Sequence, residues 1–177
     1  ASVTSANSAD VTLGGTSTAA ATAGSLAYTD LKLSGKASTY TITYEATGLA
    51  PVTQTVTLAS GAVASVGLVV PVSANSAAVL STQPVATLYD ADGNVTSSTA
   101  LVTVSASGAT ITGTTTMNAV AGVANFSGKG ITLTGTIGDK QMTASVTIAG
   151  NTITSPAETV SLDFGAATRV TLIRPAA

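Results

Sequence analysis

Asp90-Ala91-Asp92-Gly93-Asn94 is the one stretch of this chain whose residue types and spacing could hold a ligand. Side-chain oxygens at alternate positions, here Asp90, Asp92 and Asn94, are how an EF-hand calcium loop begins. The remainder of such a loop is missing. Its sixth position is Val95 where glycine is needed, and its twelfth is Leu101 where glutamate is needed. A calcium ion takes about six to eight oxygens, and three from a single turn leave the shell unfilled. The competing reading is a hairpin turn in which Asp92-Gly93 supplies the positive φ angles of a type I′ turn. The turn is preferred, with weak calcium binding as its rival.

Catalytic chemistry finds little else to use. The sequence contains no histidine and no cysteine, which removes the common nucleophile–base pairs, disulfides and thiolate metal sites. Asp10, Asp30, Asp139 and Glu158 read as solvated loop or strand-edge carboxylates, and Glu45 as an outward-facing strand residue. An intramolecular Lys–Glu–Asn isopeptide bond has four lysines to draw on but no motif behind it. Gly14-Gly15 precedes no helix, so it is no phosphate loop. The sequons Asn94-Val95-Thr96 and Asn125-Phe126-Ser127 arise easily in a chain so rich in threonine and serine. Tyr28, Tyr40, Tyr44 and Tyr89 suit core or near-core packing better than a carbohydrate platform. No enzymatic activity and no cofactor is expected.

The elements that must carry these residues are strands. Tyr40-Thr41-Ile42-Thr43-Tyr44, Val102-Thr103-Val104-Ser105 and the run from Met142 to Ile148 alternate apolar with polar, the period of a strand with one buried face. Turn signals separate them: Ser34-Gly35-Lys36, the 90–94 stretch, Ser107-Gly108, Gly128-Lys129-Gly130 and Gly138-Asp139-Lys140. No stretch of helical period occurs, so the expected class is all-β. Charged residues make up only 8% of the chain and the net charge is −2, which gives nucleic acid nothing to bind. No apolar run reaches the length of a membrane-spanning helix.

The chain also repeats itself. Residues 61–71 align without a gap on 165–175, an offset of 104, and 54–58 align on 158–162 at the same offset. Residues 23–28 resemble 121–126 at an offset of 98, and 31–35 resemble 131–135 at an offset of 100. Insertions such as Ala149-Gly150-Asn151 account for the drift and belong in loops. The expected division is residues 1–60 as the later strands of an incomplete domain, 61–164 as a complete domain, and 165–177 as the first strand of a following one. The incomplete part has no counterpart of residues 61–98. A continuous strand is expected to join the domains, with Pro71 and Pro175 near the junctions. Two explanations compete for the missing strands. The favoured one is an excerpt of a longer array; the other is a strand from residues 165–177 of a neighbouring copy completing residues 1–60.

Residues 81–95, where Gln83-Pro84 enters a strand that ends in Asp90-x-x-Gly93-Asn94, look like the bacterial immunoglobulin-like repeats of invasin- and intimin-type adhesins and S-layer proteins. Ala119-Val120-Ala121-Gly122-Val123-Ala124-Asn125-Phe126 is similar to that family's Gly-x-Ala-x-Phe strand, with Asn125 at a variable position. The resemblance implies tandem immunoglobulin-like β-sandwiches with Greek-key antiparallel sheets. It also implies an extracellular, cell-surface structural role as a stiff spacer in a lattice, stalk or filament. Neighbouring copies or flanking domains would be the partners. The alternatives are an adhesin arm or tip binding glycan or protein, and an accessory domain of a secreted enzyme.

Overall fold

The structure is a computed structural model that describes the backbone of residues 2–5, all of residues 10–165, and positions 167 and 171. Its contacts group into two units. The first takes Ala1–Ala62 together with Asp90–Asn94; the second takes Val63–Tyr89 and Val95–Ala177. The described residues are all-β, without a helix. None of them forms a helix long and apolar enough to cross a membrane.

The first unit is built on β4 (Ser38–Glu45), whose alternation buries Tyr40 and Ile42 and leaves Ser38 and Thr39 in solvent. β4 pairs antiparallel with β1 (Ser2–Ser5) on one side and with β5 (Val52–Leu58) on the other. A separate ribbon pairs β2 (Val11–Gly14) with β3 (Lys32–Gly35). The Tyr40 hydroxyl donates to the Lys36 carbonyl at 2.6 Å, which fixes the ring in the entry to β4.

In the second unit two sheets contribute to one apolar core. One runs β12 (Val123–Asn125), β8 (Val85–Tyr89), β6 (Ser65–Val69). The other runs β11 (Thr116–Asn118), β9 (Leu101–Ser107), β14 (Gly138–Ile148), β16 (Glu158–Asp163), β7 (Ser73–Asn75), with β15 (Asn151–Thr154) also on β14. A short pair joins β10 (Thr110–Thr112) to β13 (Thr132–Thr134). Val66 and Leu68 of β6 and Ala86 and Leu88 of β8 pack with Val102 and Val104 of β9, Met142 and Ala144 of β14, and Val160 and Leu162 of β16. Around Pro71 the chain changes sheets: β6 is antiparallel to β8, while β7 is parallel to β16.

The same series of pairings recurs in both units. The order β1-β4-β5 matches β9-β14-β16, and β2-β3 matches β10-β13. The Thr22–Ser25 bridge encloses Ala23 (φ 50) and Gly24 (φ 75); the Val120–Val123 bridge encloses Ala121 (φ 47) and Gly122 (φ 78). Among the described residues the first unit has nothing matching β6 and β8.

Three sequence expectations need revision or closer placement. Gly138-Asp139-Lys140 is not a turn but the start of β14, where Gly138 faces Leu162 and Lys140 faces Val160. The reversal lies at residues 135–137, and the buried stem of Lys140 keeps this polar triplet in the sheet. No continuous strand links the units, because β5 stops at Leu58 and β6 starts at Ser65; Pro71 is buried inside the second unit. The strand expected over 165–177 lies, with Pro175, outside the described residues apart from positions 165, 167 and 171. Ala149-Gly150 does fall in a two-residue hairpin turn, with φ of 49 and 83 and Ile148 paired to Asn151.

Candidate functional site

The 90–94 loop brings its three nominated oxygen-bearing residues together but turns them inward. Asp90 N–H donates to the Asn94 carbonyl at 2.9 Å and Gly93 N–H to the Asp90 carbonyl at 3.2 Å. Of the five residues only Gly93 has positive φ, 76°. The turn is therefore a three-residue loop closed by a left-handed glycine, and the type I′ expectation, which needs two such residues, is corrected. Asp90 Oδ1 accepts from the Asp92 N–H at 3.0 Å and the Asn94 N–H at 2.8 Å. Its Oδ2 accepts from the Gly61 N–H at 2.7 Å and from Asn94 Nδ2 at 2.9 Å.

Four donors match the roughly four lone-pair sites of an ionised carboxylate. The Asn94 side chain and then the Gly61 N–H hold the Asp90 carboxyl down at about 2, against the opposing pull of burial. Asn94 is committed in the same way: Oδ1 accepts from the Ala37 N–H at 2.8 Å, and Nδ2 also donates to the Gly35 carbonyl at 3.0 Å. Asp92 Oδ2 accepts from the Gly35 N–H at 3.2 Å, and its carbonyl accepts from Lys36 Nζ at 2.9 Å. The geometry is a latch on the β3–β4 connection. Among the described residues no cluster of three acidic, histidine or cysteine side chains is placed to hold a metal. The sequon at Asn94 has its amide nitrogen buried in this latch, whereas Asn125 is exposed with Oδ1 accepting from the Ser127 N–H at 2.9 Å.

The remaining nominated carboxylates do not converge. Glu45, Asp10 and Asp139 are exposed and Glu158 is half-buried on β16. Asp30, read as a merely solvated loop residue, accepts from the Thr16 N–H at 3.0 Å and the Thr16 hydroxyl at 2.9 Å. Those bonds, the backbone one foremost, hold its carboxyl below the ordinary value. Of the four tyrosines, Tyr40 is fully in the core and Tyr28, Tyr44 and Tyr89 are half-buried.

The feature that stands out is apolar. A groove of about 550 Å³ in the first unit is lined by Leu13, Leu26, Tyr28, Leu31, Leu33, Ile42, Tyr44, Val56 and Leu58, together with Lys32 and Gln54. The tyrosine rings of Tyr28 and Tyr44 lie 5.9 Å apart at 41°, and the Tyr44 hydroxyl donates to Gln54 Oε1 at 2.7 Å. The hydroxyl of Tyr28 is buried without a partner among the described residues. Under the repeat alignment, Tyr28, Leu31 and Leu33 correspond to Phe126, Ile131 and Leu133, and Val56 and Leu58 to Val160 and Leu162. The second-unit residues are sealed, whereas their first-unit counterparts are only half-buried. Sequence reading places Tyr28 in core or near-core packing but does not single out Leu31, Leu33, Val56 or Leu58; the repeat register groups them, and the missing counterpart of 61–98 is the signal that they are uncovered.

No protein-family model matches the chain, and no curated protein matches it.

Proposed function

We propose that this chain is a structural segment of an extracellular, cell-surface repeat protein, a stiff spacer in a lattice, stalk or filament that associates with copies of itself or with flanking domains. The observation that carries the reading is the uncovered apolar groove in the first unit, at the positions where the second unit has its core. We read these incompletely covered core-type side chains as an association surface, because their counterparts in the second unit are sealed. The described carboxylates are spread apart or tied to backbone N–H groups, which suits a scaffold better than a reaction centre.

An immunoglobulin-like sandwich, as in the invasin- and intimin-type repeats, fits the second unit. Its opening strand changes sheets at Pro71, so that β6 serves one sheet and β7 the other. Gln83, ahead of Pro84, ties two crossing segments. Its Oε1 accepts from the Ile131 N–H at 2.9 Å and its Nε2 donates to the Leu80 carbonyl at 2.9 Å. That gives the Gln-Pro pair a structural reason for entering β8.

Analytical ultracentrifugation over a concentration series, with electron microscopy of the same samples, tests the role. Concentration-dependent linear oligomers are expected. A chain that stays monomeric at all concentrations and binds glycans saturably would instead be an adhesin arm.

A further inference from the structure

We propose that the groove of the first unit is filled by a β-strand from residues 165–177 of a second copy, with Val170 and Leu172 inserted into it. The proposal rests on the self-associating role above and names the partner surface. In the second unit the equivalent core is covered by β6 and β8, through Val66, Leu68, Ala86 and Leu88. Residues 61–71, which include β6, align on 165–175, and this places Val170 at Val66 and Leu172 at Leu68. Arg169-Val170-Thr171-Leu172-Ile173 also follows the pattern of Val85-Ala86-Thr87-Leu88-Tyr89 in β8. The segment thus carries the inward alternation of both covering strands, and strand period puts Arg169, Thr171 and Ile173 on its opposite face.

The groove also has backbone to offer. In the second unit β12 and Phe126 bond to the covering layer: Ala124 and Asn125 lie opposite Ala86 and Val85 in an antiparallel pair, and the Phe126 N–H donates to the Pro84 carbonyl at 3.0 Å. The matching residues 26–28 lie in no strand or bridge and enter none of the turn and loop backbone hydrogen bonds among the described residues. A strand laid along them is a β-augmentation: main-chain hydrogen bonds supply affinity and alternate side chains supply register. The Tyr28 hydroxyl, buried without a partner among the described residues, is a further polar group for the occupant to satisfy.

The chain has no cysteine, so single introduced thiols report the contact cleanly. Full-length Val56→Cys and Leu172→Cys chains, differently tagged, are mixed under mild oxidation. The control pairs Leu172→Cys with Ser81→Cys, an exposed position of the second unit. At least about ten-fold more mixed disulfide is expected for the groove pair than for the control, because docking raises effective concentration. Equal yields overturn the proposal. A Val56→Cys/Leu172→Cys double variant that closes only within one chain overturns the second copy as donor. Leu172→Glu, its secondary structure checked by circular dichroism, is expected to lose association, since a carboxylate cannot enter an apolar groove unpaired. If Leu172→Glu oligomerises as well as the parent chain, strand donation fails while the structural role stands. If the parent itself never associates, both fail.

Discussion

Phe126 and Tyr28 follow the same Ala-Gly turn in their respective units, yet Phe126 is wholly buried and Tyr28 stays half open. The difference is made by what lies above them. Phe126 sits beneath a layer to which β6 and β8 contribute, and Tyr28 borders a groove. One pattern of strands, present twice, thus gives a closed core in one case and an open one in the other. Side-chain chemistry alone does not decide burial here; the presence of two more strands does.

The largest expected contrast comes from truncating these two rings. Phe126→Ala should cost about 3–5 kcal/mol, because a sealed aromatic leaves a cavity. Tyr28→Ala in the unassociated chain should cost less, about 1–2 kcal/mol, since its ring is only partly covered. Urea unfolding of the two variants at equal low concentration measures both. Equal losses would mean that the first unit is as closed as the second.

Next in size is the glycine that follows each turn alanine. A methyl added at Gly122 would lie 2.2 Å from the Thr96 carbonyl oxygen, while one at Gly24 meets nothing within 4 Å. Both have positive φ, so both alanine variants carry the left-handed penalty of about 1–2 kcal/mol. Only Gly122→Ala adds the clash, and it should exceed about 3 kcal/mol. Thermal melts of the pair would sharpen the comparison, because Thr96 belongs to a segment without a counterpart among the described residues of the first unit.

The latch predicts smaller effects, confined to the first unit. Asn94→Ala strands the Ala37 N–H and the Gly35 carbonyl and should cost about 1–3 kcal/mol. Faster proteolytic cutting between β3 and β4 would report it. Asp90 titrates at about 2 when folded against an ordinary 3.8. A carboxyl depressed by folding lends stability above its unfolded value and loses it as pH falls toward the folded one. The latch therefore weakens between about pH 3.8 and 2, and Asp90→Asn should flatten the dependence of melting temperature on pH across that window. Smallest of all is calcium: with Asp90 already accepting four hydrogen bonds, millimolar calcium should leave the melting temperature unchanged. A clear rise would restore the ion reading of Asp90, Asp92 and Asn94.

Much of this fold was legible because period-two alternation is a direct imprint of a half-buried strand. β4, β9 and β14 lie where Tyr40-Thr41-Ile42, Val102-Thr103-Val104 and Met142-Thr143-Ala144 put them. Gly138-Asp139-Lys140 misled because turn composition is local, whereas its pairing with Val160 to Leu162 is a contact between distant residues. The 90–94 loop was recognisable as a turn, but its type depended on Gly93 alone taking positive φ. That its oxygens serve Gly61 and residues 35–37 was invisible, since those partners lie far along the chain. The groove was the least legible feature. Leu31 and Leu33 read like Ile131 and Leu133, and only the repeat register reveals what the first pair lacks.

Residue-resolved hydrogen exchange, recorded on the full chain at a monomeric and at an associating concentration, tests most directly whether the open core is closed by association. The amides of Ala124 and Phe126 should be protected in both states. Those of Leu26 and Tyr28 should exchange freely in the monomer and become protected on association. Protection of Leu26 and Tyr28 already in the monomer, or none gained on association, would contradict the account.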